Sequence, residues 1–333
     1  MPESSSDEND NRVVVTDLAR YAIKGLSGDL LDSVVIPKGG VQTFPDDRRF
    51  ALLKQQKRDK FDEIDPEWLH KENFLCAFSA PELMAGFRSH YEILEASEGN
   101  NTERKLTLHR RNKDGTDAST EPVLGPIDLG LPSGREALAS FFSEESNEAL
   151  VCVTKEPEAN AKTSTFQFGN TRAGVKNNPG GDTRTVHLVN RATIREFSDT
   201  IGMDLNPMRF RPNIIIDGLE AWEEFNWVGR TLRIVSKGKK DDDNYDDGGA
   251  SSCSLIVKVL TRTVRCEGIG IDPLDPSAGK LDVPKLLSKN YPEHGPYMGV
   301  YASLEVVGGD DDEGDDGGAN AKLFSVGDTF ELL

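Results

Sequence analysis

Two short segments of this chain hold residue types that could do metal and anion chemistry. The first reads Thr263-Val264-Arg265-Cys266-Glu267-Gly268-Ile269-Gly270-Ile271-Asp272-Pro273. An apolar run from Leu255 to Leu260 leads toward the Arg-Cys pair, and an Asp-Pro follows six residues after the cysteine. A neighbouring positive charge favours the thiolate form of a cysteine, and a thiolate is a soft ligand for a transition metal. A buried core cysteine beside a surface arginine would account for the same letters. The second segment is Arg209-Phe210-Arg211-Pro212-Asn213-Ile214-Ile215-Ile216-Asp217-Gly218. Two arginines at the mouth of a buried strand make a clamp for an anion, because guanidinium groups bind phosphate with paired hydrogen bonds and Asn both donates and accepts. Surface arginines paired with an acidic excess would read the same way.

The rest of the chain narrows the choices. Its 333 residues suffice for one large or two ordinary domains. At 36% hydrophobic and 29% charged it reads as globular with polar insertions. There is no run of 18 apolar residues to span a bilayer. The opening MPESSSDENDNR is neither a secretory signal nor an Arg-rich transit peptide, so a disordered tail and a cytoplasmic location are expected. A net charge of −18 argues against nucleic acid as a partner. Much of that charge sits in Asp241 to Asp247 and Asp310 to Asp316, leaving room for a local basic pocket elsewhere. The four cysteines, Cys76, Cys152, Cys253 and Cys266, contain no C-x-x-C pair, which disfavours a zinc site, an iron–sulfur cluster or a disulfide framework. None of the five histidines has ligand spacing; His187, near Thr183, is the one that merits attention.

Strand-length apolar runs occur at Val13–Val15, Ser33–Ile36, Phe50–Leu53, Tyr91–Leu94 and Lys105–Leu108. A helix is expected at about Gly134 to Ser143, with Ser133 and Glu136 as a capping box. Ala149–Val153 reads as a buried strand. The polar stretch Glu156 to Asp182 is too long for a passive connector and is expected to be disordered or a binding loop. Asn190 caps a second helix carrying Ile194, Phe197 and Ile201 on one face and ending at Gly202. Further β runs follow at Asn213–Ile216, Thr231–Val235, Ser254–Leu260, Met298–Val307 and Leu323–Leu332. The acidic Gly-rich tracts, at about 237–252 and 308–320, fall between these strands and are expected to be lengthened hairpin loops, which cost little entropy. Trp222 and Trp227 are expected to pack the core.

Several pieces then fall into an ordered series: R-F-R-P-N-I-I-I-D-G, Ala221-Trp222-Glu223-Glu224-Phe225-Asn226-Trp227, the Arg265-Cys266 pair with its Asp-Pro, Tyr297-Met298-Gly299-Val300-Tyr301, and Phe324-Ser325-Val326-Gly327-Asp328. This series resembles the signature of the MOSC family, the domain named from the C-terminal part of molybdenum cofactor sulfurase, and in particular the mitochondrial amidoxime-reducing component and its bacterial relatives. Tyr21-Ala22-Ile23-Lys24-Gly25-Leu26-Ser27-Gly28 is similar to the family's Y-P-V-K-S-x-x-G opening, and Asp46-Asp47-Arg48-Arg49-Phe50 to its D-R-x-W segment. The resemblance covers about residues 12 to 333.

The resemblance implies a mostly β fold with a few helices (α+β): a disordered tail over 1–11, an N-terminal β-rich MOSC-associated domain over 12–148, and a β-barrel-like MOSC domain over 149–333. It implies the molybdenum cofactor, Mo-molybdopterin, with Cys266 as the metal ligand. Lys24 and Arg48 correspond to residues on the pterin phosphate, and Arg211 and Asn213 to further pterin contacts. Thr183 matches a hydroxyl near the cofactor, followed here by Arg184 where the family has a serine. Asp272 matches an acidic residue of the active-site loop and, with Cys266, would be catalytic. Other departures are Ala22 and Gly25 in the opening segment, Thr263 in place of a first cysteine, and a longer loop from Pro273 to Gly279.

Three functions are then open. The first is reduction of N-hydroxylated compounds, amidoximes or hydroxylamines, with external electrons; the resemblance implies a cytochrome b5-type donor and its NADH-dependent reductase. The second is a non-catalytic cofactor carrier or sulfur-transfer module. Pyridoxal phosphate binding is commonly attached to such domains, but no sulfurase module that binds it is recognisable here. The third is a degenerate binding protein.

Overall fold

The computed structural model describes residues 12–95, 102–155, 166–169, 184–237, 253–308 and 321–333. The acidic tail, both acidic tracts, Thr183 and most of the stretch from 156 to 182 lie outside the described residues.

In chain order the strands of the first half are β1 (Val13–Arg20), β2 (Asp29–Leu31), β3 (Ser33–Pro37), β4 (Phe50–Lys54), β5 (Phe74–Leu75), β6 (Phe87–Glu95), β7 (Thr102–Arg110), β8 (Leu124–Asp128) and β9 (Leu150–Thr154). Helices α1 (Pro81–Ala85) and α2 (Pro132–Ser146) lie among them. The second half contributes β10 (Val186–Asn190), β11 (Ile214–Asp217), β12 (Thr231–Val235), β13 (Ser254–Val264), β14 (Tyr297–Val307), β15 (Ala321–Ser325) and β16 (Thr329–Leu332), with helices α3 (Arg191–Ile201) and α4 (Val283–Asn290).

The fold is mostly β with few helices. Seven strands close into a barrel in the order β11-β10-β14-β13-β12-β16-β1, with β1 returning to β11 and β2 added at its side. Only the β10–β11 pair of the barrel is parallel. The barrel needs β1, the first strand of the chain, to close. It pairs with both β11 and β16. Every residue of β10 is buried. Its apolar residues pack in one cluster with Ile194 and Phe197 of α3 and with Val257 and Leu304 of the facing strands. Around the barrel stand smaller sheets, β5-β4-β9 and β6-β7-β8. They enclose a second core of Phe50, Leu52, Tyr91, Leu106 and Phe142 and an aromatic cluster of Phe61, Phe74, Phe166 and Phe168.

The short-range signals show where propensity suffices. The Asn190 side chain accepts from the Ala192 amide, and Gly202 ends α3 in the left-handed region. Trp222 and Trp227 are buried in the barrel core. Three expectations need correction. Helix α2 starts at Pro132 with Leu131 as its N-cap and no side-chain cap, so Ser133 and Glu136 form no capping box; proline at the first helical position starts the helix earlier because it has no amide to satisfy. The run Leu323–Leu332 is two strands broken at Gly327 (φ +93); β15 pairs with β3, while β16 enters the barrel. The tract at 238–252 does join two paired strands, β12 and β13. The tract at 309–320 joins β14 to β15, which are not partners, so it is not a hairpin loop. Strand β9 pairs with β4.

Candidate functional site

A cleft of about 440 Å³ lies between the barrel and the N-terminal sheets. Lys24, Arg48, Arg211 and Cys266 all line it. Residues from opposite halves of the chain are therefore brought together, with no short-range contact to announce it.

Cys266 is delivered by β13. The register of β13 against β14 shifts between Val259 and Thr261 and again between Arg262 and Val264. Bulges of this kind bend a strand and re-aim the side chains that follow. Beyond the second shift Arg265 turns inward, 9% exposed, and Cys266 outward onto the cleft. The Arg265 amide donates to Pro296 O (2.8 Å), and its Nη2 donates to Phe210 O (2.8 Å). A side chain on Gly268 would stand only 3.5 Å from the Cys266 sulfur, so this glycine leaves the thiol approachable.

The cations are held by backbone strain as much as by bonds. Arg48 (φ +50) and Arg211 (φ +55) both sit in the left-handed region, which non-glycine residues seldom occupy and which costs of order 1–3 kcal/mol. Arg211 closes the 3-10 turn Pro207–Phe210. Its Nη1 donates to Leu26 O (2.5 Å), and Arg48 Nη2 donates to Arg211 O (3.2 Å). Arg48 is also paired with buried Asp47. The described part of the long polar stretch, Phe166–Gly169, packs here: Phe168 N donates to Arg48 O (2.9 Å), Gln167 Nε2 donates to Asp47 Oδ2 (2.7 Å), and Gly169 sits so close to the Arg48 side chain that a Cβ would meet it at 2.5 Å. Lys24 Nζ lies 5.3 Å from the centre of the Phe74 ring.

The charge is poorly balanced. Among the described residues Lys24, Arg211 and Arg265 form no ion pair. Asp47, the acid nearest the site, is bound by Arg48, Gln167 and the Tyr21 amide (2.8 Å). Burial, then repulsion from Arg48 and Arg211, pushes the Lys24 ammonium below its ordinary range, against the pull of the Cys76 and Cys266 thiols. Burial likewise lowers Arg211, to about 10. Cations that are costly to keep charged alone are stabilised by a bound anion.

His187 lines the same cleft and is 2% exposed. Burial, with Arg265 and Arg48 nearby, holds it well below its ordinary pKa, so it is neutral. Its Nε2 lies 3.3 Å from Arg265 Nη1 and its Nδ1 3.4 Å from Arg211 O. With Nδ1–H donating to the Arg211 carbonyl, Nε2 accepts from the guanidinium; the other tautomer instead donates Nε2–H to Met298 O (3.4 Å). Tyr301, the register partner of His187, stands 5.6 Å away ring to ring. Burial raises its phenol, leaving a neutral hydroxyl donor.

Asn213, fully buried, does not line the cleft. It accepts from Arg48 Nη1 (3.0 Å) and from the His187 amide (3.0 Å) and donates to Ala19 O (3.0 Å), so it acts by holding others. Asp272 also lies outside the lining; its carboxylate faces Arg209 (3.4 Å) and accepts from Leu274 N (2.9 Å), which braces the loop after Cys266. Arg184 reaches Gln42 Oε1 (3.4 Å) and is not among the lining residues. Thr183 lies outside the described residues. Sequence reasoning assigned no role to Cys76, Trp68, Phe78 or Tyr301, which line the cleft. Tyr301 stood inside a quoted motif; for Cys76 no local signal existed.

The arrangement offers a soft thiol at one point and a cluster of uncompensated cations around it. It suits a ligand that is anionic at one end and binds a soft metal at the other. A volume of this size is usual for a cofactor or small-molecule site.

No curated protein matches the chain. Among solved structures, YiiM from Geobacillus stearothermophilus aligns with 14% identity over 44% of this chain and 53% of that one, about half its length, at a TM-score of 0.26, too slight a likeness to carry an argument. The family comparison is specific: residues 176–329 of this chain match the MOSC domain.

Proposed function

We propose that this cleft binds a molybdenum cofactor, with Cys266 as the metal ligand and Lys24, Arg48 and Arg211 on the pterin phosphate. The observation that supports the reading most is the meeting of one approachable thiol and three cations from distant parts of the chain in one cleft. The donor set fits. A dianionic phosphate would neutralise Lys24 and Arg211, which form no ion pair among the described residues, next to the Asp47-paired Arg48, and a thiolate is the ligand type that a soft metal prefers. Asn213 and His187 keep Arg48, Arg211 and Arg265 in place, and Asp272 braces the loop that carries Cys266. Thr183 and Arg184 belong to the proposal as further contacts near the cofactor.

The bound group would supply two-electron oxygen-atom chemistry at the metal; this chain's residues bind it, orient it and set the local charge. The reaction is reduction of an N-hydroxylated compound, with electrons arriving from a cytochrome b5-type donor and its NADH-dependent reductase. The apolar wall of Trp68, Leu69, Phe78 and Val264 is where the organic part of such a substrate would lie.

The test is to measure molybdenum and pterin in purified wild-type protein and in Cys266→Ala after co-expression with cofactor synthesis. The wild type should hold both in near-equal amounts, and the variant should lose the metal while keeping its fold. Wild-type protein devoid of both would overturn the proposal. Cofactor held without turnover of an amidoxime by a reduced donor would point to a carrier instead.

A further inference from the structure

A second chamber, of about 590 Å³, opens on the other side of Arg211. A narrow passage lined by Gly25, Ser27, Gly268 and Pro273 lies between the two, and Arg211 lines all three spaces. The chamber is built from β1, β2 and β6 with the Pro273–Leu274 turn, and none of the roles above uses it.

Its lining brings together a cation and an acid. Arg211 has no carboxylate partner among the described residues, and Tyr21 backs its guanidinium at 4.4 Å. The acid is Asp29. Its Oδ1 accepts from the Tyr91 amide (3.2 Å) and contacts His90 Nδ1 (3.2 Å). No hydrogen bond engages its Oδ2 among the described residues, and the side chain, 10% exposed, lines the chamber. Arg20, Arg88, Arg111 and Glu92 also line it, and part of the wall is apolar. Leu30, Leu94 and Leu274 line it and are unusually exposed for leucines, at 65%, 42% and 44%.

We infer that this chamber binds a nucleoside 5′-monophosphate unit, its phosphate on Arg211, its ribose hydroxyls on Asp29 and its flat base against the leucines. A carboxylate with a free oxygen is the usual recogniser of a ribose diol, an unpaired guanidinium recognises phosphate, and exposed leucines gain by covering a planar ring. The unit has two sources: a free nucleotide, or a nucleotide joined to the phosphate of the cofactor in the first cleft. The inference rests on reading Arg211 as a phosphate-binding residue.

The experiment uses the full chain. Titration calorimetry with inorganic phosphate, with cytidine, adenosine and guanosine 5′-monophosphates, and with a 2′,3′-dideoxy nucleotide reads the chamber directly. At least one ribonucleotide should bind more than about tenfold tighter than inorganic phosphate, the yield of one or two added charge-assisted hydrogen bonds. The dideoxy analogue should lose most of that gain. Asp29→Asn, which keeps an acceptor for the Tyr91 amide, should remove it as well, and so should Leu94→Gln in the wall; neither adds a cation, and neither should change phosphate binding by more than about twofold. Ribonucleotides no tighter than phosphate, or tighter by the same factor in both variants, would overturn the inference. Mass spectrometry of nucleotide released by acid from purified protein separates the sources: a nucleotide equimolar with pterin marks the joined form, and one bound only on addition marks the free form. Protein holding molybdenum and pterin that releases no nucleotide on acid treatment and binds no added ribonucleotide would sink this inference while leaving the proposed function standing.

Discussion

The guanidinium carbon of Arg211 lies 4.4 Å from the centre of the Tyr21 ring, and that of Arg48 lies 5.1 Å from the same ring. One buried phenol from the end of β1 thus braces two cations, one from each half of the chain. Burial pushes the Tyr21 hydroxyl far up, so the ring acts through its face and never as an anion. Tyr21→Leu should weaken inorganic phosphate binding by about 3- to 30-fold, the worth of one or two partly desolvated cation–π contacts. Tyr21→Phe should leave it within about twofold, since only a contact from the hydroxyl to Met208 Sδ (3.9 Å) is lost. Calorimetry on both variants checks this.

Inorganic phosphate should raise the thermal midpoint of the protein, because a ligand bound only by the folded state stabilises it by about 2.7 kcal/mol at a hundredfold excess over its dissociation constant. The rise should disappear in Arg211→Ala and shrink at 1 M salt. A differential scanning series in phosphate and in chloride at matched ionic strength measures it. An equal rise in wild type and variant would mean that phosphate acts elsewhere.

Asp47 is 3% exposed and binds Arg48, the Tyr21 amide and Gln167. Asp47→Asn leaves the part-buried Arg48 guanidinium without its counter-charge and should cost about 3 kcal/mol. Urea denaturation of the variant gives the number. A loss below about 1 kcal/mol would show that Arg48 does not depend on this carboxylate.

Glu224, wholly buried against the start of α3, is raised from 4.5 to about 7 by burial, although Thr193 and Asn190 donate to it. A raised folded value means that the folded state holds its proton more tightly than the unfolded one. Its contribution to stability is therefore complete below pH 4.5 and is lost as pH rises through 7, about 3 kcal/mol in all. Glu224→Gln should flatten the stability profile over that window. Denaturation midpoints from pH 4.5 to pH 8 supply the comparison; a wild-type profile as flat as the variant's would refute the assignment.

Gly25 adopts φ +98, and a Cβ there would come within 2.7 Å of the Cys76 Cα, a backbone atom that cannot swing aside. Gly25→Ala should cost about 2 kcal/mol or more and displace Lys24 from the cleft. The stability loss appears in urea denaturation and the displacement as weaker phosphate binding. A variant as stable as wild type would mean that Cys76 yields.

The sequence by itself determined what depends on near neighbours. The apolar runs became strands, Asn190 and Gly202 bounded α3, and the Arg265-Cys266 pair announced a thiol with a cation beside it. It also carried enough ordered motif to indicate a MOSC domain, which the match over residues 176–329 supports. Tertiary structure decided the rest, because pairing partners and burial are properties of distant contacts. That β15 leaves the barrel for β3 while β16 stays depends on where β1 and β12 lie. That Arg211 faces the cleft, while Asn213, two residues on, is buried behind it, follows from a left-handed turn at Arg211 and three hydrogen bonds to other segments. Cys76 joined the site with no local sign, and Tyr301 with only a motif around it, since closure of the barrel against the N-terminal sheets is what brings them to the same opening.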